Sequence, residues 1–139
     1  MKVEIRDCGA GRFEVRARDA ILAVDLLPEE GGGIDGFRSA ELLLGALGAC
    51  TAGTIRAFAV KQGIEGFEGI DIVVDGETAK QPERVATLRL VIDIKGSISD
   101  ADRDRLLRVG SHCKVHNTLH NEPNIEMREY SEVAVGKDH

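Results

Sequence analysis

The chain has 139 residues, 42% of them apolar and 4% aromatic, and a formal net charge of −6. That length fits a single domain, residues 1–139, with apolar content enough for a core of Leu, Ile, Val and Ala, since Trp is absent. Lys and Arg are scattered with no basic stripe, which argues against a nucleic-acid partner. Three cysteines, an odd number, do not make a disulfide framework, and Met1-Lys2-Val3-Glu4-Ile5-Arg6 lacks the apolar stretch of a secretory signal, so a reducing cytoplasm is the expected location.

The N-terminal third reads as strands. Val3 and Ile5 alternate with charged neighbours, Phe13, Val15 and Ala17 alternate with Arg12, Glu14 and Arg16, and Leu22, Val24 and Leu26 resume the period after a turn near Asp19. This predicts an antiparallel meander with one face on the core. Residues 28–36, with Gly31-Gly32-Gly33 at their centre, form a loop. A long helix is expected from Ser39 to Gln62, with Ser39 as N-cap, Glu41 as an acid favoured by the helix dipole and Gly63 just past its end. Two long strands follow, Phe67 to Asp75 and Arg84 to Lys95, joined by a polar turn containing Pro82. In the second, Leu88, Leu90, Ile92 and Ile94 face one way, and Val91 is the exception on the other face. A second helix starts at Ser99, where Asp stands in the place of Glu in a capping box, and Gly110 breaks it before the Cys113 segment. A last strand is expected over Ile125 to Tyr130, and the tail from Gly136 is expected to fray.

The long helix carries an uncharged, largely apolar run from Leu42 to Ile55. That run is shorter than the roughly 20 residues of a membrane span and is expected to be a buried core helix, with no membrane partner. One six-strand sheet would cover only one of its sides. A second helix and a second copy of the chain are the candidates for the rest, which predicts an intimate homodimer. Gly45, Ala49 and Gly53, spaced by four, would let another helix approach closely.

Chemistry-bearing residues fall in two segments. Cys50 lies in the long helix, and Cys113 lies in Ser111-His112-Cys113-Lys114-Val115-His116-Asn117-Thr118-Leu119. A thiolate can attack a peroxide oxygen and be recovered by a second thiol, so the two would make a redox pair; the bland reading is that each is a small buried hydrophobe. Cys8, in a turn, matches no motif. Arg38, just before the cysteine helix, is a candidate cation for the thiols of its own or a partner chain, and equally a solvated loop arginine; Arg12 is a weaker candidate. His112, His116 and His120 recur every four residues. They suggest zinc, but no second ligand cluster accompanies them, and neither a metal nor any other cofactor is expected.

Gly36-Phe37-Arg38-Ser39-Ala40-Glu41-Leu42-Leu43-Leu44-Gly45-Ala46-Leu47-Gly48-Ala49-Cys50 resembles the central-helix motif of the OsmC/Ohr family of thiol peroxidases, and Cys113-Lys114-Val115-His116-Asn117-Thr118-Leu119 resembles its second cysteine motif. The order of elements also matches over nearly the whole chain. The resemblance implies an α+β OsmC-like fold, an antiparallel sheet wrapped around a long central helix in an intertwined homodimer, with sites at the subunit interface. It implies a thiol-dependent peroxidase for organic hydroperoxides, in which Cys50 attacks, Cys113 condenses with the resulting sulfenic acid, and an external dithiol resets the pair. The chain departs from the best-characterised members in having Ser39-Ala40 where they have Pro-Glu, and in Arg12, off the register of their loop arginine. Arg38 is expected to assist Cys50 more than Arg12 does, because it directly precedes the cysteine helix. The competing class is a non-enzymatic dimer of the same fold that binds a small apolar molecule or a metal.

Overall fold

The computed structural model describes residues 1–130. The alternating residues of the N-terminal third form β1 (Glu4–Gly9), β2 (Arg12–Ala17) and β3 (Ala20–Asp25), an antiparallel sheet in the order β1-β2-β3. Its register aligns Ile5 with Val15 and Val15 with Leu22, and Phe13 with Val24, so the apolar residues share one face. That face does not rest on the core of its own chain: Ile5 is 63% exposed. A short 3₁₀ turn, Pro28–Glu30, opens the loop that follows, and the loop returns beside β3 through a Val24–Phe37 bridge.

Helix α1 (Ser39–Lys61) is the long element. Its N-cap is Arg38 rather than Ser39, because the Glu41 carboxylate accepts a hydrogen bond from the Arg38 backbone N–H at 2.7 Å and closes the first turn from the inside. At the other end Gly63, at φ +60°, donates to the Val60 carbonyl while Ile64 donates to Ala59, a Schellman ending that the glycine makes possible. β4 (Gly69–Ala79) and β5 (Arg84–Lys95) form a second, separate antiparallel sheet. Ile70, Ile72 and Val74 pair with Ile94, Ile92 and Leu90 on the face toward α1. The outward face carries Val73 opposite Val91, both exposed, and ion pairs of Arg89 with Asp75 and Glu77 and of Lys95 with Asp71 and Asp93. Val91 thus breaks the alternation by meeting a matching valine across the strands.

Helix α2 (Asp100–Gly110) is capped by the Ser99 hydroxyl, which accepts from the Asp102 N–H at 3.2 Å, and the short α3 (Lys114–His120) follows. The core sits where α1, β5 and α2 meet: Ile55, Ala59, Ile94 and Leu106, surrounded by Phe58, Ile64, Phe67 and Ile70. Burying a side chain such as Leu106, 0% exposed, stabilises by about 1.5–3 kcal/mol.

Two further expectations are corrected. Among the described residues the strands do not make one six-strand sheet; five strands stand in two sheets, and no strand of the meander pairs with the β4–β5 hairpin. Residues 122–130 form no strand, since none of them pairs with an edge of either sheet. The tail from Gly136 lies outside the described residues.

Candidate functional site

Cys50 and Thr51 are successive residues of α1, and Cys113 is the N-cap of α3. What brings them together is the approach of α2 to α1. A Cβ added at Gly110, the last residue of α2, would lie 2.8 Å from Ile55 Cδ1 and 3.2 Å from Thr51 Cγ2, so only a glycine lets the helices meet this closely. The turn after Gly110 is held by the Ser111 hydroxyl, which donates to the Arg108 carbonyl at 2.7 Å, and it delivers Cys113 onto the Cys50–Thr51 step of α1.

Cys113 is 2% exposed and takes the N-cap role that Ser, Thr, Asp or Asn usually fills. Its sulfur accepts from the His116 backbone N–H at 3.3 Å and lies 3.7 Å from the Thr51 hydroxyl. Burial pushes the Cys113 thiol up, but the His116 N–H, the Cys50 thiol, the Thr51 hydroxyl and the Val115 N–H all favour its charged form, and the net direction is down. Cys50 is the more accessible of the two, half-buried where Cys113 is buried. The arrangement is a pair of sulfurs on two elements, one shielded and surrounded by donors, the other open to a small reactant.

The other candidates lie elsewhere. Arg38 caps α1, twelve residues and about 18 Å of helix rise before Cys50. Its Nη1 is within hydrogen-bond distance of three carbonyls, those of Gly33 (2.9 Å), Leu26 (3.0 Å) and Asp25 (3.3 Å). Within one chain, therefore, Arg38 is not brought to the thiols. Arg12 makes a two-pronged ion pair with Asp25, Nε to Oδ1 at 2.7 Å and Nη2 to Oδ2 at 2.8 Å, and Asp25 also accepts from the Gly36 N–H at 2.7 Å. The Asp25 side chain is 1% exposed. The Arg12 hydrogen bond outweighs the cost of burial and holds the carboxyl at about 2, below its ordinary 3.8, with Gly36 and Arg38 pulling the same way; the Arg12 guanidinium is raised in return. Glu41 is the helix-capping acid described above. Cys8 is exposed, in the sheet distant in sequence from the pair. The rings of His116 and His120 lie 4.7 Å apart, and His112 Nδ1 is 2.8 Å from the Arg108 carbonyl. Among the described residues no three His, Cys, Asp or Glu side chains are grouped to hold a metal.

Two residues of these clusters were not singled out from the sequence. Thr51 was legible only as the neighbour of Cys50, and Asp25 only as an acid ending an apolar strand.

A family model described as OsmC-like protein matches residues 31–128 of the chain. The chain belongs to the OsmC-like protein family. Solved structures of similar fold include a Psychrobacter arcticus 273-4 protein named for osmotic stress induction and detoxification response (TM-score 0.79, 18% identity, 88% of this chain and 90% of that one). An OsmC-like protein from Mycoplasma pneumoniae gives a TM-score of 0.76 at 19% identity, covering 87% of each chain. The organic hydroperoxide resistance protein OhrB of Bacillus subtilis gives 0.61 at 18% identity, covering 87% of this chain and 90% of that one. At these identities the likeness speaks for the OsmC-like fold. No curated protein sequence matches the chain.

Proposed function

We propose that this OsmC-like chain is a thiol-dependent peroxidase that reduces organic hydroperoxides through Cys50 and Cys113. The observation that carries the reading is the pair itself: an accessible Cys50 on the same step of α1 as Thr51, whose hydroxyl lies 3.7 Å from the sulfur of a shielded Cys113, a sulfur whose charged form is favoured. The name of the B. subtilis neighbour, an organic hydroperoxide resistance protein, points the same way.

The chemistry follows from the geometry. Cys50 gives its proton toward the Cys113 sulfur and attacks the terminal peroxide oxygen. The O–O bond breaks, an S–O bond forms, and the alkoxide leaves and takes that proton from Cys113 as the alcohol, which returns Cys113 to its thiolate. The Cys113 thiolate then attacks the Cys50 sulfenic sulfur, forming the S–S bond and expelling the oxygen as water after protonation. An external dithiol returns both sulfurs to the reduced state.

The site belongs, in this reading, to a cytoplasmic homodimer. Gly45, Ala49 and Gly53 are exposed, and a Cβ at Gly45 or Gly53 would meet nothing within 4 Å, so the small-residue stripe is left open in one chain. An apolar cavity of about 810 Å³ lies between the N-terminal sheet and the start of α1, lined by Phe13, Val15, Val24, Leu42 and Arg38 among others. A partner's segment filling it would bring its thiols toward Arg38, which is how Arg38 enters the proposal. Arg38→Ala should then raise the Cys50 titration midpoint more than Arg12→Ala does, and the reverse order would remove Arg38 from the site. The same cavity favours the second reading, a non-enzymatic dimer that holds an apolar molecule.

Steady-state assay separates the two. With an alkyl hydroperoxide and dithiothreitol, the parent protein should consume peroxide catalytically and Cys50→Ser should not. Equal rates with and without Cys50 would favour the binding module.

A further inference from the structure

The Thr51 hydroxyl has one proton and two acceptors in reach. It donates to the Leu47 carbonyl at 2.8 Å, and its oxygen stands 3.7 Å from Cys113 Sγ. Thr51 is 3% exposed and Cys113 2%, so water does not compete for either group. The Thr51 methyl faces Gly110 where α2 meets α1, 3.2 Å from where a Cβ on that glycine would stand, so the close crossing limits its rotamer. The Leu47 carbonyl also lies four residues before the Thr51 N–H in the helix, so it keeps a partner if the hydroxyl turns away.

We propose that Thr51 is a positioning residue for the dithiol: its hydroxyl accepts from the Cys113 thiol and turns from the Leu47 carbonyl to donate to the sulfur when that sulfur carries the charge. The proposal rests on Cys50 and Cys113 acting as a redox pair. Its consequence falls on both directions of the disulfide step. In closure, the Cys113 thiolate attacks the Cys50 sulfenic sulfur, the S–S bond forms, the S–O bond breaks, and hydroxide leaves and is protonated to water. In opening, the thiolate of the external dithiol attacks the more accessible Cys50 sulfur, the S–S bond breaks, and Cys113 leaves as the thiolate that Thr51 holds. The groups facing that sulfur are the Cys50 thiol and Thr51 hydroxyl from α1, the backbone N–H groups of Val115 and His116 at the start of α3, and no side chain from Gly110. A donor lost from this set is not replaced by solvent.

The test titrates Cys113 by thiolate absorbance in a Cys8→Ser, Cys50→Ser background, with Thr51→Val, Thr51→Ala and Thr51→Ser added in turn. The titration midpoint should rise by about one pH unit in the Val and Ala variants, roughly tenfold less thiolate at neutral pH, and return near the parent in the Ser variant. Having both Val and Ala covers the case in which one of them disturbs packing. In the Cys8→Ser protein with both redox cysteines, Thr51→Val should also slow Cys50–Cys113 closure after one equivalent of alkyl hydroperoxide. Unchanged midpoints in Val and Ala, or a Ser variant shifted as far as Val, would overturn the proposal. If the parent closes no disulfide at all, the redox reading fails, and Thr51's hold on Cys113 is still decided by the titration.

Discussion

Two residue clusters use the same physics to opposite ends. At Cys113, backbone N–H groups and neutral donors surround a sulfur that stays mobile in charge. At Asp25, a guanidinium and the Gly36 N–H hold a carboxylate in its charged form at neutral pH. The second cluster ties β2, β3 and the 26–38 loop together, with Arg38 adding bonds to the loop carbonyls. Because the folded Asp25 carboxyl is held at about 2 against an ordinary 3.8, its stabilising contribution is complete above the ordinary value and is lost as the pH falls through about 2. Asp25→Asn should therefore be less stable than the parent at pH 7, and the gap between their urea midpoints should shrink as the pH is lowered from 4 to 2. A gap that stays constant over that window would mean the ion pair does not contribute in this way.

The elements that hold the site were legible from period and punctuation. The helix from Ser39, the hairpin strand Arg84–Lys95 and the start at Ser99 follow directly from apolar spacing, Gly63 and the Ser-x-x-Asp cap. Cys50 and Cys113 stood out because the sequence around each was distinctive. The remaining features depend on tertiary contacts that no local pattern encodes. Ser39 gave up the N-cap because Glu41 reached the Arg38 N–H. The 122–130 segment alternates like a strand but pairs with neither sheet among the described residues. Thr51 mattered only once Gly110 had let α2 approach, a contact between residues far apart in sequence. That contact can be tested at the scale of the element. Gly110→Ala places a methyl 2.8 Å from Ile55 Cδ1 and 3.0 Å from Ile55 Cγ1, at a residue 0% exposed. Overpacking of this kind costs about 1–3 kcal/mol, against less than about 1 kcal/mol of helix propensity gained at a helix terminus. Denaturant unfolding should show Gly110→Ala less stable than the parent; equal or greater stability would show that the α1–α2 crossing has room to spare.

At the scale of the whole molecule, one chain leaves much apolar surface uncovered. Helix α1 is long and apolar enough to span a bilayer by composition, yet Leu47, Ile55 and Ala59 of that helix are buried against the chain's own elements. Leu43 and Val60 of α1 are exposed, as are Ile5 and Ile21 of the N-terminal sheet. In the proposed homodimer a second copy covers these apolar faces. Sedimentation at micromolar concentration should give a dimer that dissociates only on unfolding, and a folded monomer would contradict it.

The central claim, that Cys50 and Cys113 are a redox pair, is tested most directly by mapping disulfides after one equivalent of an alkyl hydroperoxide is added to the reduced protein. Mass spectrometry should find a single Cys50–Cys113 linkage, with Cys113→Ser accumulating a sulfenic acid at Cys50. Oxidation that leaves Cys50 and Cys113 unlinked, or a Cys50→Ser protein that still consumes the peroxide, would contradict the account.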